Sequence, residues 1–173
     1  METFTPWENP MGTSGFEFIE YTSPEPEKLA QTFVSLGFKA IAKHRRKDVT
    51  LYRQGDINFL LNAEPNSFAS RFAKRHGPSI CAIAFRVDDA AYAYQRALDL
   101  GAWGIDSGSG PMELNIPAIK GIGDSLIYLV DRWKGKDGHS GIGDISIYDV
   151  DFAPIDPATA TEDAHHHGAG LTI

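Results

Sequence analysis

Apolar and polar positions fall in short blocks along this chain, and the blocks change period in a repeated order. Residues 16–22, Phe-Glu-Phe-Ile-Glu-Tyr-Thr, are rich in aromatic and β-branched side chains with Glu17 and Glu20 set among them, which predicts a half-buried strand. Ser23-Pro-Glu-Pro-Glu27 follows with a capping oxygen, prolines suited to a first turn and carboxylates for the positive end of a helix dipole. Leu29, Phe33 and Leu36 then recur at helical spacing until Gly37 stops the helix. Strands are predicted over 38–44, 49–54 and 57–62, joined by the turn Arg45-Arg46-Lys47-Asp48 and by the hairpin pair Gly55-Asp56. Residues 64–76 predict a short helix, with Phe68 and Phe72 on one face and His76-Gly-Pro78 ending it.

The order then restarts. Residues 79–87 predict a strand, Asp88-Asp89 a cap, and 91–100 a helix with Tyr94 and Leu98 on a common face, closed by Gly101. Gly101 and Gly37 are 64 positions apart, as are Ile83 and Ile19 (101 − 37 and 83 − 19). Residues 102–106, 112–119 and 125–131 supply three strand-like segments, and 145–152 reads as one more. Few letters are shared, so the repeat is one of pattern. It predicts an α+β fold of two βαβββ modules, about 15–65 and 78–153, with a helix over 66–76 between them. Each module forms a curved, mostly antiparallel sheet with a helix on its convex side, and the pair encloses a cavity. Residues 1–14 read as an arm packed down by Trp7 and Met11, and 154–173 as a linker.

Composition narrows the class. A chain of 173 residues with 42% apolar and 23% charged side chains can bury a real core. Its 16 basic and 23 acidic residues leave a net charge of −7, which argues against nucleic acid or an anionic membrane as partner. Residues 1–11 lack the basic start and apolar block of a secretory signal, and no apolar run approaches a membrane span. The single Cys81 forms no internal disulfide and suits a reducing compartment, so a cytoplasmic location is expected.

Two βαβββ modules resemble the vicinal oxygen chelate superfamily of glyoxalases, extradiol dioxygenases and antibiotic-sequestering proteins. Longer motifs narrow the resemblance. Glu8-Asn-Pro-Met-Gly12, Gly15-Phe-Glu-Phe-Ile-Glu20, Leu51-Tyr-Arg-Gln-Gly55, Ile57-Asn-Phe-Leu-Leu-Asn62 and Glu64-Pro-Asn66 come first. His76-Gly-Pro78, Ala84-Phe-Arg-Val87, Pro117-Ala-Ile-Lys-Gly-Ile-Gly123 and Ile127-Tyr-Leu-Val-Asp131 follow in the same order. Together they resemble the amino-terminal half of the bacterial 4-hydroxyphenylpyruvate dioxygenases, from Glu8 to Phe152. The resemblance implies a parent enzyme about twice as long, which converts 4-hydroxyphenylpyruvate and O2 to homogentisate and CO2 in tyrosine catabolism. It also implies that Fe(II), held by two histidines and a glutamate, belongs to the carboxy-terminal half. The amino-terminal half would serve stability and subunit assembly, in a homo-oligomer, with the catalytic half as its partner. Gly168-Ala-Gly-Leu-Thr-Ile173 resembles the run-in to that half.

Matched strand to strand, the resemblance places the two histidine positions at Glu17 and Ala82 and the glutamate position at Tyr128. A non-heme iron site needs imidazole and carboxylate donors on one face with open positions for substrate and gas. Alanine has no donor atom, tyrosine is a poor substitute and one carboxylate is not a site. No cofactor, metal or catalytic residue is therefore expected within this chain. The other histidines read blandly: His44 as a surface residue beside Arg45 and Arg46, His76 as a helix C-terminal residue, His139 in a Gly-rich loop, and His165-His166-His167 in the linker. Gly108-Ser-Gly110 lacks the frame of a nucleophile elbow. Cys81 reads as a buried inert thiol, and Lys120 and Arg132 as ion-pair or subunit-contact residues. Two rival functions remain open at the level of residues. One is a metal-free module that binds a small apolar or aromatic molecule between the half-sheets; the other is a standalone metalloenzyme of this fold, disfavoured by Ala82 and Tyr128.

Overall fold

The computed structural model describes residues 8–105, 113–136 and 144–156. Trp7, the 108–110 segment, His139, His165 to His167 and most of the linker lie outside the described residues. Strand β1 (Thr13–Thr22) leads through helix α1 (Pro26–Ser35) to β2 (Lys39–His44), β3 (Val49–Gln54) and β4 (Ile57–Asn62). Helix α2 (Phe68–His76) connects to β5 (Ser79–Val87), helix α3 (Ala90–Asp99), β6 (Gly104–Ile105), β7 (Ala118–Lys120) and β8 (Leu126–Val130). Helix α4 (Ile147–Asp151) and β9 (Phe152–Pro154) close the described chain.

All nine strands among the described residues join one sheet in the order β6-β7-β8-β5-β1-β4-β3-β2-β9. Its centre is the antiparallel pair β1–β5, where Ile19 faces Ile83, the two residues 64 positions apart in sequence. On either side the same step follows: β4 runs parallel to β1 and β8 runs parallel to β5. The repeat is also written in the backbone. Gly37 and Gly101, each just after its helix, adopt φ of 94° and 93°, left-handed values that a residue with a Cβ rarely accepts.

Alternation along the strands divides the core between the two faces. Tyr52, Phe59 and Leu61 join Phe33 of α1 and Phe38 on the outer face, with Phe38 stacked on Phe59 at 4.2 Å. Val87 and Leu129 meet Ala90 and Ala93 of α3 on the same side. The intervening Phe18, Leu51, Leu60, Ala84 and Val130 point to the inner face. Among the described residues no further strand covers that side. Ile147, Tyr148 and Phe152, from α4 and the start of β9, pack onto it.

Several sequence expectations are corrected. The stretch 145–152 is a helix followed by a strand, not one strand, because Ile147, Tyr148, Asp151 and Phe152 are its buried residues, at helical spacing. Strand β9 then pairs antiparallel with β2, Ala42 facing Pro154, at the far edge of the first half. Helix α2 starts at Phe68, where the Ser67 hydroxyl accepts from Ser70 N–H, rather than at 64 or 66. Helix α1 begins after Glu25, while the Ser23 hydroxyl accepts from Glu25 N–H one turn early. Strand β1 already starts at Thr13, inside the expected arm, and the 112–119 and 102–106 strands shrink to 118–120 and 104–105. No helix among the described residues is long and apolar enough to cross a membrane.

Candidate inner-face site

The inner face holds two polar clusters, and β1 feeds both. Register shifts between Phe16 and Phe18 and again between Glu20 and Tyr21 break the simple alternation of this strand. Glu17 and Glu20, three apart and expected on opposite faces, are both buried.

The first cluster surrounds Glu17. Arg86 Nε donates to the Glu17 carboxylate at 2.6 Å, and its guanidinium lies over the Trp133 ring at 5.4 Å. The Tyr148 hydroxyl and the Asn58 amide both donate to the Glu17 carbonyl oxygen, at 3.3 and 3.0 Å. Arg53 donates to Asn58 Oδ1 at 2.7 Å and covers the Tyr148 ring. Burial, then the neighbouring Glu17 charge, pushes the Tyr148 phenol well above its ordinary value. The cluster is paired throughout, and it ties β1, β5 and α4 together.

The second cluster lines a cavity of about 130 Å³. Phe18, Val49, Leu60, Ile116, Ile147 and Phe152 give it apolar walls. Glu20 sits in the wall at 7% exposure and accepts from Asn62 Nδ2 at 2.7 Å. Burial pushes its carboxyl up, against the Asn62 amide, Cys81 and Lys47, which pull it down. Lys47 pairs with Glu113 at 2.9 Å, and Asp151 accepts from Leu114 N–H at 3.3 Å. His44, expected at the surface, is half-buried in this wall with its ring edge-on to Phe152 at 5.2 Å. Its Nδ1 accepts from the N–H groups of Arg46 and Lys47, both at 3.1 Å, so its proton resides on Nε2. Burial first, and Lys47 second, lower its pKa.

The three positions matched to an iron site are not gathered as donors. Glu17 is engaged by Arg86. Ala82 is fully buried opposite Glu20 and ends in a methyl group. Tyr128 lines the cavity against Phe18, and burial raises its phenol far above its usual value, so it does not ionise at neutral pH. A carboxylate held by a guanidinium, a methyl and a neutral phenol do not make an Fe(II) ligand set. Among the described residues no group of three or more His, Cys, Asp or Glu could hold a metal ion. Cys81 is buried, with its thiol at Glu20 O, and burial followed by the Glu20 charge raises its pKa. Sequence reasoning missed Glu20, Asn62 and the Lys47–Glu113 pair as a constellation. The signal for Glu20 lay in the Glu-x-x-Glu spacing of β1, readable only once a bulge is known to lie in it.

Comparison with known proteins gives a consistent picture. Residues 7–153 match the family model described as hydroxyphenylpyruvate dioxygenase, HPPD, N-terminal. A 4-hydroxyphenylpyruvate dioxygenase of Pseudomonas sp. (strain P.J. 874) is 54% identical over 167 residues, covering 96% of this chain and 43% of the relative. Hemolysin VllY of Vibrio vulnificus (strain CMCP6) is 55% identical over 153 residues, covering 87% of this chain and 40% of the relative. Among solved structures, a xylose isomerase-like TIM barrel/4-hydroxyphenylpyruvate dioxygenase fusion protein superposes with a TM-score of 0.70 at 37% identity, over 91% of this chain and 25% of that one. The chain thus spans about two fifths of the length of the curated relatives it matches.

Proposed function

The chain belongs to the family of hydroxyphenylpyruvate dioxygenase amino-terminal domains, and from that premise we propose that it is the structural and assembly half of a longer 4-hydroxyphenylpyruvate dioxygenase. The parent enzyme converts 4-hydroxyphenylpyruvate and O2 to homogentisate and CO2. Fe(II), held by the carboxy-terminal half, supplies the oxygen chemistry, and this half contributes none of its ligands. Its partners are that catalytic half and further copies of the parent chain, and its place is the cytoplasm.

The inner face carries this reading. Where a catalytic module of this fold would project donors, this one projects Ala82, the neutral Tyr128 phenol and a Glu17 already neutralised by Arg86. Helix α4 occupies part of the same face. What the residues do is bind to one another: the Glu17–Arg86 pair and the Tyr148 hydroxyl cross-link the two modules at their shared centre.

Titration of the 173-residue chain with Fe(II) under anaerobic conditions, followed by O2 and 4-hydroxyphenylpyruvate, tests the proposal. The expected outcome is no stoichiometric iron binding and no substrate-dependent O2 uptake. One tightly held iron per chain with homogentisate formation would overturn it.

A further inference from the structure

His44 stands where β2, the 45–48 turn and the closing strand β9 meet. As the last residue of β2 it pairs with Phe152, the first of β9, and its ring lies edge-on to the Phe152 ring at 5.2 Å. Its Nδ1 accepts from the backbone N–H groups of both Arg46 and Lys47, so the imidazole closes the turn as a carbonyl oxygen would. The turn in its place grips α4. Arg45 N–H donates to Asp151 O at 2.9 Å, and Arg45 Nε donates to Val150 O at 3.1 Å. Just past β9, Ile155 N–H donates to Ile41 O at 3.0 Å.

This arrangement requires a neutral ring. Nδ1 accepts through its lone pair, and a proton there sets a donor against two donors. Turning the ring offers no remedy, because an imidazolium carries N–H on both nitrogens and has no acceptor in any orientation. The two amides then lose their partner, and the turn that carries Arg45 shifts. The charges around the ring are mixed. Half-burial and Lys47 oppose the proton, while the carboxylates of Asp151 on α4, Glu113 before β7 and Glu64 after β4 favour it. Glu20 of β1 lines the same cavity, and burial favours its uncharged form. Within the turn Lys43 pairs with Asp48 and Arg45 is turned to Val150, leaving Arg46 as a further nearby cation. Burial and Lys47 prevail, so the folded ring takes its proton below the ordinary pH 6.5. Stability drawn from the neutral ring is present above that value and is lost as pH falls through the folded one.

The first turn of α4 is fastened separately. Ile147 N–H donates to Arg132 O at 3.1 Å, the Tyr148 hydroxyl donates to Glu17 O at 3.3 Å, and Ser146 N–H donates to Asp149 at 2.8 Å. None of these bonds involves His44 or the turn.

We propose that His44 is a pH-sensitive latch. Neutral, it holds the last turn of α4 and β9 against β2; protonated, it releases them and opens the β2 edge, while the first turn of α4 stays in place. The latch goes beyond the scaffold role proposed above and does not depend on it: iron titration reads one and edge opening the other.

Hydrogen exchange of the 173-residue chain, read residue by residue by nuclear magnetic resonance between pH 7.5 and 5 and corrected for the intrinsic pH dependence of exchange, tests it. Protection at the Arg45, Arg46, Lys47 and Ile155 amides should fall about tenfold or more, the scale of two lost hydrogen bonds. The fall should track protonation of the His44 ring, followed through its nitrogen shifts. Protection at Ile147 N–H and at Leu129 N–H, which donates to Pro117 O at 3.0 Å, should hold. His44→Asn keeps an acceptor at the place of Nδ1 and cannot titrate, so its profile should be flat. Unchanged protection at Arg45 and Ile155 while the ring protonates would overturn the proposal. So would equal losses at Ile147 and Leu129, a ring that titrates at or above pH 6.5, or the same acid loss in His44→Asn. The parent chain alone decides the first three, even where the variant folds poorly.

Discussion

At the scale of single residues, Glu20 shows how burial and partnership compete. Its carboxyl has one strong neutral partner, Asn62, and no cation in contact, so burial dominates and the folded state favours the protonated form. The folded pKa therefore lies above the unfolded one. The stability this group contributes is fully present below about pH 4.5, its ordinary value, and is lost as pH rises through that value towards the folded pKa. Glu20→Gln keeps the shape and removes the titration. Urea unfolding from pH 4 to 8 should show the variant gaining on the parent chain as pH rises, with the two converging in acid. Equal pH profiles would contradict the account. His44 works in the opposite sense: its depressed pKa contributes stability above about pH 6.5 that is lost as pH falls. Glu17 and Glu20 were visible in the sequence as polar residues in a strand, but their roles were not. One is neutralised by Arg86, 69 positions away, and the other has the neutral Asn62 amide as its hydrogen-bond partner, 42 positions away, with Lys47 acting only from a distance. Sequence spacing carries no information about either distant contact.

At the scale of elements, the strands and helices with clear periodicity were legible, and α4 was not. The run Ile145-Ser-Ile-Tyr-Asp-Val-Asp-Phe152 nearly satisfies two periods, since apolar residues fall at 145, 147, 148, 150 and 152. Tertiary packing settles it as a helix, because Ile147, Tyr148 and Asp151 then share the face turned to the sheet. The start is fixed locally: the Asp149 carboxylate accepts from both the backbone N–H and the hydroxyl of Ser146, each at 2.8 Å. Tyr148 is the element's anchor, at 8% exposure with its ring between Arg53 and Phe152. Tyr148→Ala should cost about 3–5 kcal/mol in chemical denaturation, as for other buried aromatic truncations. Val150→Ala, on the half-exposed side of the same turn, should cost less than about 1 kcal/mol. Similar losses at both positions would mean that α4 does not pack as described.

At the scale of the molecule, the two halves are joined at the centre, not the margin. Pairing of β1 with β5 makes one continuous sheet, so the two halves share the inner-face core while each keeps its own cluster under its outer helix. The 64-residue offset and the paired glycines made the duplication readable in advance. The sequence did not reveal that the chain, after completing the second half, returns to the first: β9 lies on β2, and Arg45 N–H donates to Asp151 O just beside it. Ending the chain after Ser146 removes α4 and β9 together. That shortened chain should associate more strongly than the full chain in sedimentation velocity at micromolar concentration, through the uncovered β2 edge and the bared inner face. A monodisperse shortened chain would show that neither surface needs its cover.

The pairing of β9 with β2 also imposes an order in time. Ala42 waits for Pro154, 112 positions later (154 − 42), so the outermost strand of the first half emerges from the ribosome long before its neighbour exists. At synthesis rates of about 5–20 residues per second, that interval is on the order of 5–20 seconds. Throughout it the nascent chain holds an open hydrogen-bonding edge, and Lys39, Lys43 and the Arg45-Arg46-Lys47 turn that follows place a dense positive charge along that edge. Two such edges repel each other. The basic run that read at first as a mere turn thus lies at the end of the edge that stays open longest.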